Sequence, residues 1–189
     1  MPPLSQIGQL RKGITRKRLE DPFGSAYGLY QIANLKSLSL EMPSETVYLD
    51  PIKIKDHALL PGDVLVSLIG VMPVAGVVPT LPIPAVANAN VAVFRVNQQR
   101  VDPWYIAAVF RTSLIQTQLA EAITGSVIPN LSLAALAKTE VPIPNIEIQR
   151  AVANAYRSME HLESSVLLAL GHQRSLLEAE SLAAIKDPQ

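Results

Sequence analysis

Two patterns of apolar and polar residues divide this chain. From Asn145 onward, apolar residues recur at Ile148, Val152, Ala155, Met159, Leu162, Val166 and Ala169, alternating by four and three. Leu176 resumes the row after Gln173 interrupts it. That spacing lays one apolar seam along an α-helix, as in coiled coils and two-helix packings. Asn145 is placed to cap the helix and Glu147 to meet the positive end of its dipole. A helix is predicted from Glu147 to Lys186, about 60 Å long at 1.5 Å per residue. Such a helix outgrows a domain of ~145 residues, whose radius of gyration is about 15 Å. Its far end therefore asks for a partner. The alternative is a helix kinked at Gly171 and folded back on its own core.

Before Asn145 the pattern is short and broken. Fourteen of the fifteen prolines lie at or before Pro144, and β-like runs such as Thr46–Leu49 sit between Gly and Pro turn signals. No charged residue occurs between Asp63 and Arg95, a span long enough to cross a bilayer if it were helical. Pro73, Pro79, Pro82 and Pro84 argue against that helix. Two buried strands, Val64 to Leu68 and Val91 to Val96, joined by an apolar Pro-rich loop, are expected instead. Asp102-Pro103 caps and opens a helix expected from Trp104 to about Glu121. Ser132 caps a short turn through Leu136, and Glu140–Pro144 reads as an extended exit. The whole is an α+β domain, residues 1–144, followed by one long C-terminal helix, residues 145–189.

Composition narrows the function classes. The 189 residues contain no Cys, which excludes disulfide frameworks, thiolate zinc sites and cysteine nucleophiles. Sixteen Lys+Arg balance sixteen Asp+Glu, so the chain as a whole is neither polybasic nor an acidic tail. The start of the sequence lacks the basic-then-apolar order of a signal peptide, and a cytoplasmic location is expected. Nucleophile elbows, phosphate-cradling loops and dinucleotide fingerprints are absent. His161 and His172 lie eleven residues apart on the predicted helix, too far to share a metal. Asp50, Asp56 and Asp63 sit at turns, which accounts for them. No enzyme, no metal and no cofactor is expected.

The binding signals lie at the beginning. Arg11, Lys12, Arg16, Lys17 and Arg18 fall within eight residues, interleaved with Gly13 and Thr15. Such a cluster can neutralise several phosphates, and Thr15 or the Gly13 amide can donate to another; a solvated charge run is the alternative. Residues 1–144 hold twelve Lys+Arg against ten Asp+Glu, and the remainder four against six. That small basic excess points to a module that binds nucleic acid weakly alone and draws affinity from partners.

The order of several short blocks resembles a family. Thr124-Gly125-Ser126-Val127-Ile128-Pro129-Asn130-Leu131-Ser132, then Leu136, then Val141-Pro142-Ile143-Pro144 and Gln149, look like the end of a target recognition domain of the DNA specificity subunits of type I restriction-modification systems. Pro61-Gly62-Asp63-Val64-Leu65-Val66-Ser67 with Gly70 is similar to that family's Gly-Asp strand, and Asn88–Phe94 with Arg95 to its central strand. Val101–Tyr105 resembles the helix start that follows, and Ile7-Gly8 with Gly13–Thr15 the opening. The resemblance runs over essentially the whole chain. It implies a mixed, twisted β-sheet domain that grips double-stranded DNA and positions a methyltransferase subunit and a restriction subunit, doing no chemistry itself. Members usually carry two recognition domains separated by two long antiparallel helices; this chain has one of each. A half-size subunit that forms a homodimer through Ile148, Val152, Ala155, Met159, Leu162, Val166, Ala169 and Leu176 would restore the arrangement, its two heads reading an inverted repeat. Arg11, Lys12, Thr15, Arg16, Lys17 and Arg18 would hold phosphates, with Lys36, Lys53, Lys55 and Ser126 on loops facing the groove. For Gly125-Ser126 a structural turn is an equal reading. The rival from another class is a protein-interaction adaptor of the same fold that has lost DNA reading.

Overall fold

The computed structural model describes residues 1–125 and 127–186, without the side chains of 180 and 182–186. The fold is α+β. A helical turn α1 (Leu4–Ile7) leads into β1 (Gly8–Lys12), a 3-10 turn at Arg16–Arg18 and the long strand β2 (Glu20–Tyr30). Strands β3 (Thr46–Leu49), β4 (Val64–Ser67), β5 (Ala75–Val77), β6 (Ala85–Ala87) and β7 (Val91–Val96) follow. Then come helices α2 (Pro103–Val109), α3 (Ser113–Ala122), α4 (Leu133–Lys138) and α5 (Ile146–Lys186).

Two sheets form. The first is antiparallel, in the order β1-β7-β4-β5, and the second has the order β3-β2-β6. In the first, β7 lies between β1 (Leu10↔Phe94) and β4 (Leu65↔Val93). Every residue of β4 is buried, and so are Val91 to Phe94 of β7. That is why both read as unbroken apolar runs rather than alternating ones. In the second sheet β2 pairs antiparallel with β3 and parallel with β6 (Leu29↔Val86), which makes the fold mixed. Tyr30, Leu35, Leu40, Leu65, Val91 and Val93 pack in one core cluster, and Ile14, Leu29, Val47, Leu49 and Val86 in another.

The stretch expected as a loop between β4 and β7 contains two further strands, β5 and β6. Three residues each, and buried throughout, they are too short to show a period of two. The helix expected from Trp104 to Glu121 is two helices. After Val109 the chain tightens, with Arg111 N–H on the Ala108 carbonyl (2.9 Å) and Thr112 N–H on that of Val109 (3.0 Å). Thr112 then turns extended and starts α3. The local caps are as the sequence leads one to expect: Asp102 accepts from the Trp104 amide (2.8 Å), Ser132 from Ala135 (3.1 Å) and Asn145 from Ile148 (3.0 Å). Residues 140–144 are extended without a ladder, though Val141 N–H reaches the Pro2 carbonyl and Leu4 N–H that of Thr139 (3.0 Å each).

Helix α5 is 41 residues long and unbroken through Gly171. Compactness divides the chain into Met1–Ala153 and Asn154–Gln189, two turns inside that helix. Gln149 lies just before that boundary. Fully buried, it accepts from the Asp102 amide (2.9 Å) and donates to the carbonyls of Pro144 (2.8 Å) and Arg100 (3.2 Å). It thereby joins the starts of α2 and α5. Among the described residues no helix is long and apolar enough to cross a membrane.

Candidate nucleic-acid interface

The basic run Arg11–Arg18 does not act as one patch, because the backbone sends its members to different places. Arg11 is in β1 opposite Val93. It is half-buried, and its Nη2 donates to the Ala58 carbonyl (3.1 Å). That carbonyl also accepts from Arg95 Nη2 (3.3 Å), and Arg95 grips Asp63 with two bonds of 2.7 Å. Burial lowers the Arg11 pKa, Asp63 opposes that shift and Arg95 adds to it. Buried and only 1% exposed, Asp63 also accepts from the Leu60 amide (2.8 Å). Its carboxylate thus accepts three hydrogen bonds, and one nitrogen of Arg11, Nη1, is left without a partner among the described residues. Gly13 is likewise committed. Its amide donates to the Val91 carbonyl (2.9 Å), and any side chain there would strike the Ala87 and Asn88 carbonyls.

Beyond Gly13 the chain crosses to the second sheet, where Ile14 enters the core. Thr15 and the 3-10 turn Arg16–Arg18 are exposed. Arg16 is bonded to Glu20 and to Glu45, and the hydrogen bond it donates to the Glu20 carboxylate, more than any other influence, raises its pKa. Lys12, Lys17 and Arg18 are exposed and have no acidic partner among the described residues. Lys53 pairs with Asp50 (3.1 Å), and that bond, followed by the Ile52 amide, lowers the Asp50 pKa. Lys55 is exposed and has no acidic partner among the described residues. Lys36 lies elsewhere, on the loop whose Leu38 carbonyl and Leu40 amide pair with Val77. Ser126 lies outside the described residues.

What the structure does assemble is a corner at Leu49-Asp50. The Asp50 amide donates to the Leu19 carbonyl (3.3 Å), which brings the Lys17-Arg18 turn there. Both Glu20 and Ser25 pair with Leu49, so residues 21–24 are extruded as a bulge. Phe23 sits on that bulge, 98% exposed. The turn carrying Ile52, Lys53 and Lys55 follows directly from Asp50. Sequence reasoning did not single out Phe23, although an aromatic inside Asp21-Pro22-Phe23-Gly24 is a turn signal with a conspicuous passenger. A second exposed group, Val71, Met72, Val127 and Ile128, lies on two loops joined by the Gly70 N–H on the Pro129 carbonyl (3.0 Å).

Along α5, Ile148, Ala155, Met159, Leu162, Val166, Ala169 and Leu176 are exposed and Val152 is half-buried. Leu167, Leu170 and Leu177 are exposed as well. At 3.6 residues per turn they widen the seam to about half the helix circumference. Among the described residues no cluster of three His, Asp or Glu is arranged to hold a metal.

Residues 3–159 match the type I restriction modification DNA specificity domain, and the chain belongs to that family. Such a domain recognises DNA and is not a catalyst. No curated protein matches the sequence. Solved structures do resemble it. A chain from a study titled as the structural basis of complex assembly and conformational transition of the type I R-M system is 14% identical, with a TM-score of 0.70. The match covers 97% of this chain and 44% of that one. The HsdS subunit from Thermoanaerobacter tengcongensis is 15% identical with a TM-score of 0.60, over 88% of this chain and 38% of that one. The S subunit of the type I system of M. genitalium is 14% identical with a TM-score of 0.58, over 94% and 43%. The chain therefore spans less than half the length of each.

Proposed function

We propose that this chain reads one half of a bipartite DNA site on behalf of a type I restriction-modification complex. Residues 1–144 hold the duplex, while residues 145–189 pair with the same helix of a second copy. The two heads then read an inverted repeat at a fixed separation, and the assembly docks methyltransferase and restriction subunits. The observation that carries this reading is the family match over residues 3–159. The exposed leucines and valines of α5 support the pairing, since an apolar band half a circumference wide is costly to leave in water. Lys12, Lys17, Arg18 and Lys55 remain as phosphate ligands. Arg11, Arg16 and Lys53 already have partners in the protein.

Selection from a pool of random duplexes tests the reading. It should enrich two copies of one short sequence in inverted orientation, and binding should weaken steeply as salt rises. Enrichment of a single unrepeated element would contradict the paired arrangement. A second reading, an adaptor without DNA contact, draws on the uncharged surface of Val71, Met72, Val127 and Ile128; failure to enrich any sequence would favour it.

A further inference from the structure

We propose that Gln173 fixes the register of the paired α5 helices by lying across Ala155 of a second copy, with the two helices antiparallel. This rests on the pairing reading above and adds to it the residue that sets how far apart the two heads stand. Val152, Met159, Val166 and Gln173 occupy one row of the α5 seam, and Ala155, Leu162, Ala169 and Leu176 the other. Gln173 is the polar member of these two rows. It is exposed, and its side-chain amide has no partner among the described residues. A single polar residue in such a row restricts the registers that a helix pair accepts, because most of them press it against an apolar side chain.

Side-chain volume selects one arrangement. With the helices antiparallel and the two-fold axis beside Ser164, Gln173 meets Ala155, Met159 meets Ala169, Leu162 meets Val166 and Leu176 meets Val152. Each layer joins a larger side chain to a smaller one and no member of either row is left over, which favours a second copy over an unrelated helix. There the Gln173 amide passes over the short Ala155 side chain and stays in water at the edge of the seam. Sliding the pair by one heptad sets Gln173 on Ile148 or on Leu162. It also stacks Met159 on a leucine while a valine meets an alanine. Parallel helices put Ala155 on Ala155 and Ala169 on Ala169, two thin layers, and Met159 on Met159. Beside the seam, the antiparallel register sets exposed Leu170 on half-buried Tyr156, where parallel helices offer it Ser165. One contact opposes the arrangement: exposed Glu163 faces its own copy across the axis, a small cost at a surface.

The chain has no Cys, so engineered thiols report the register directly. In the full chain, Met159→Cys with Ala169→Cys should form covalent dimers on oxidation, and either single variant should not. A link in either single variant would show parallel helices and overturn the proposal. So would a double variant that sediments as a dimer yet stays unlinked. Adding Gln173→Leu to the double variant should lower the yield of the link, as other registers become populated. Each heptad of slippage moves the heads by about 10 Å, or about three base pairs. Duplexes selected with Gln173→Leu should therefore include half-site spacings about three base pairs longer or shorter, where wild type selects one. An unchanged link yield and a single spacing with Gln173→Leu would remove Gln173 from the role. Glu163→Gln should tighten the dimer; no change would count against the antiparallel axis. If wild type sediments as a monomer at every concentration, the pairing reading itself fails first.

Discussion

The segments Met1–Ala153 and Asn154–Gln189 satisfy their side chains in opposite ways. In the first, two buried polar side chains are well partnered: Asp63 is bonded to Arg95 and the Leu60 amide, and Gln149 uses both ends of its amide. In the second, Leu162, Val166, Leu167, Leu170, Leu176 and Leu177 are all exposed. A helix in isolation is held by its own hydrogen bonds, which are marginal without tertiary packing. The first segment therefore carries its stability within the chain. Under the pairing proposed above, the second would acquire stability from association, and its stability should then depend on protein concentration.

The difference can be broken from the first segment. Asp63→Asn leaves Arg95 without its carboxylate inside the sheet and should lower unfolding stability by about 3 kcal/mol in urea titrations. Gln149→Ala strands the Asp102 amide and two carbonyls and should cost about 2 kcal/mol, measured in the same way. Tyr30 provides a finer probe. Its buried hydroxyl has no partner among the described residues, and burial pushes its pKa up to about 12. The unfolded tyrosine ionises near 10 while the folded one stays protonated. Stability is therefore intact below pH 10 and falls as pH rises toward 12. Tyr30→Phe should flatten that decline and change stability at neutral pH by less than about 1 kcal/mol. The smallest effect on the first segment should come from the second. Leu162→Gln with Val166→Gln and Leu170→Gln should move its unfolding by under about 0.5 kcal/mol. Sedimentation should show the same variant losing self-association.

Legibility followed the range of the interaction. Asp102, Ser132 and Asn145 were readable as caps because a cap bonds within three residues of itself. Strands β4 and β7 were readable because burial on both faces leaves an unbroken apolar run. Strands β5 and β6 were hidden by the prolines around them, and the break at Thr112 by apolar spacing that continues across it. The candidate interface was least legible. Adjacency in sequence made Arg11 to Arg18 look like one patch. Strand β1 turns Arg11 toward Ala58, and Glu45, 29 residues away, draws in Arg16. Nothing local encodes either partner. Phe23 was overlooked because an aromatic residue is ordinarily assigned to a core.

The pairing of β1 with β7, together with the contacts of Pro2 to Leu4 with Thr139 to Val141, bears on how the protein is made. A ribosome releases the first strand long before the residues that flank it in the finished sheet. At about 5–20 residues per second, that interval is on the order of ten seconds. Throughout it β1 has no partner for its backbone hydrogen bonds, so the rate of synthesis should influence the yield of folded molecules.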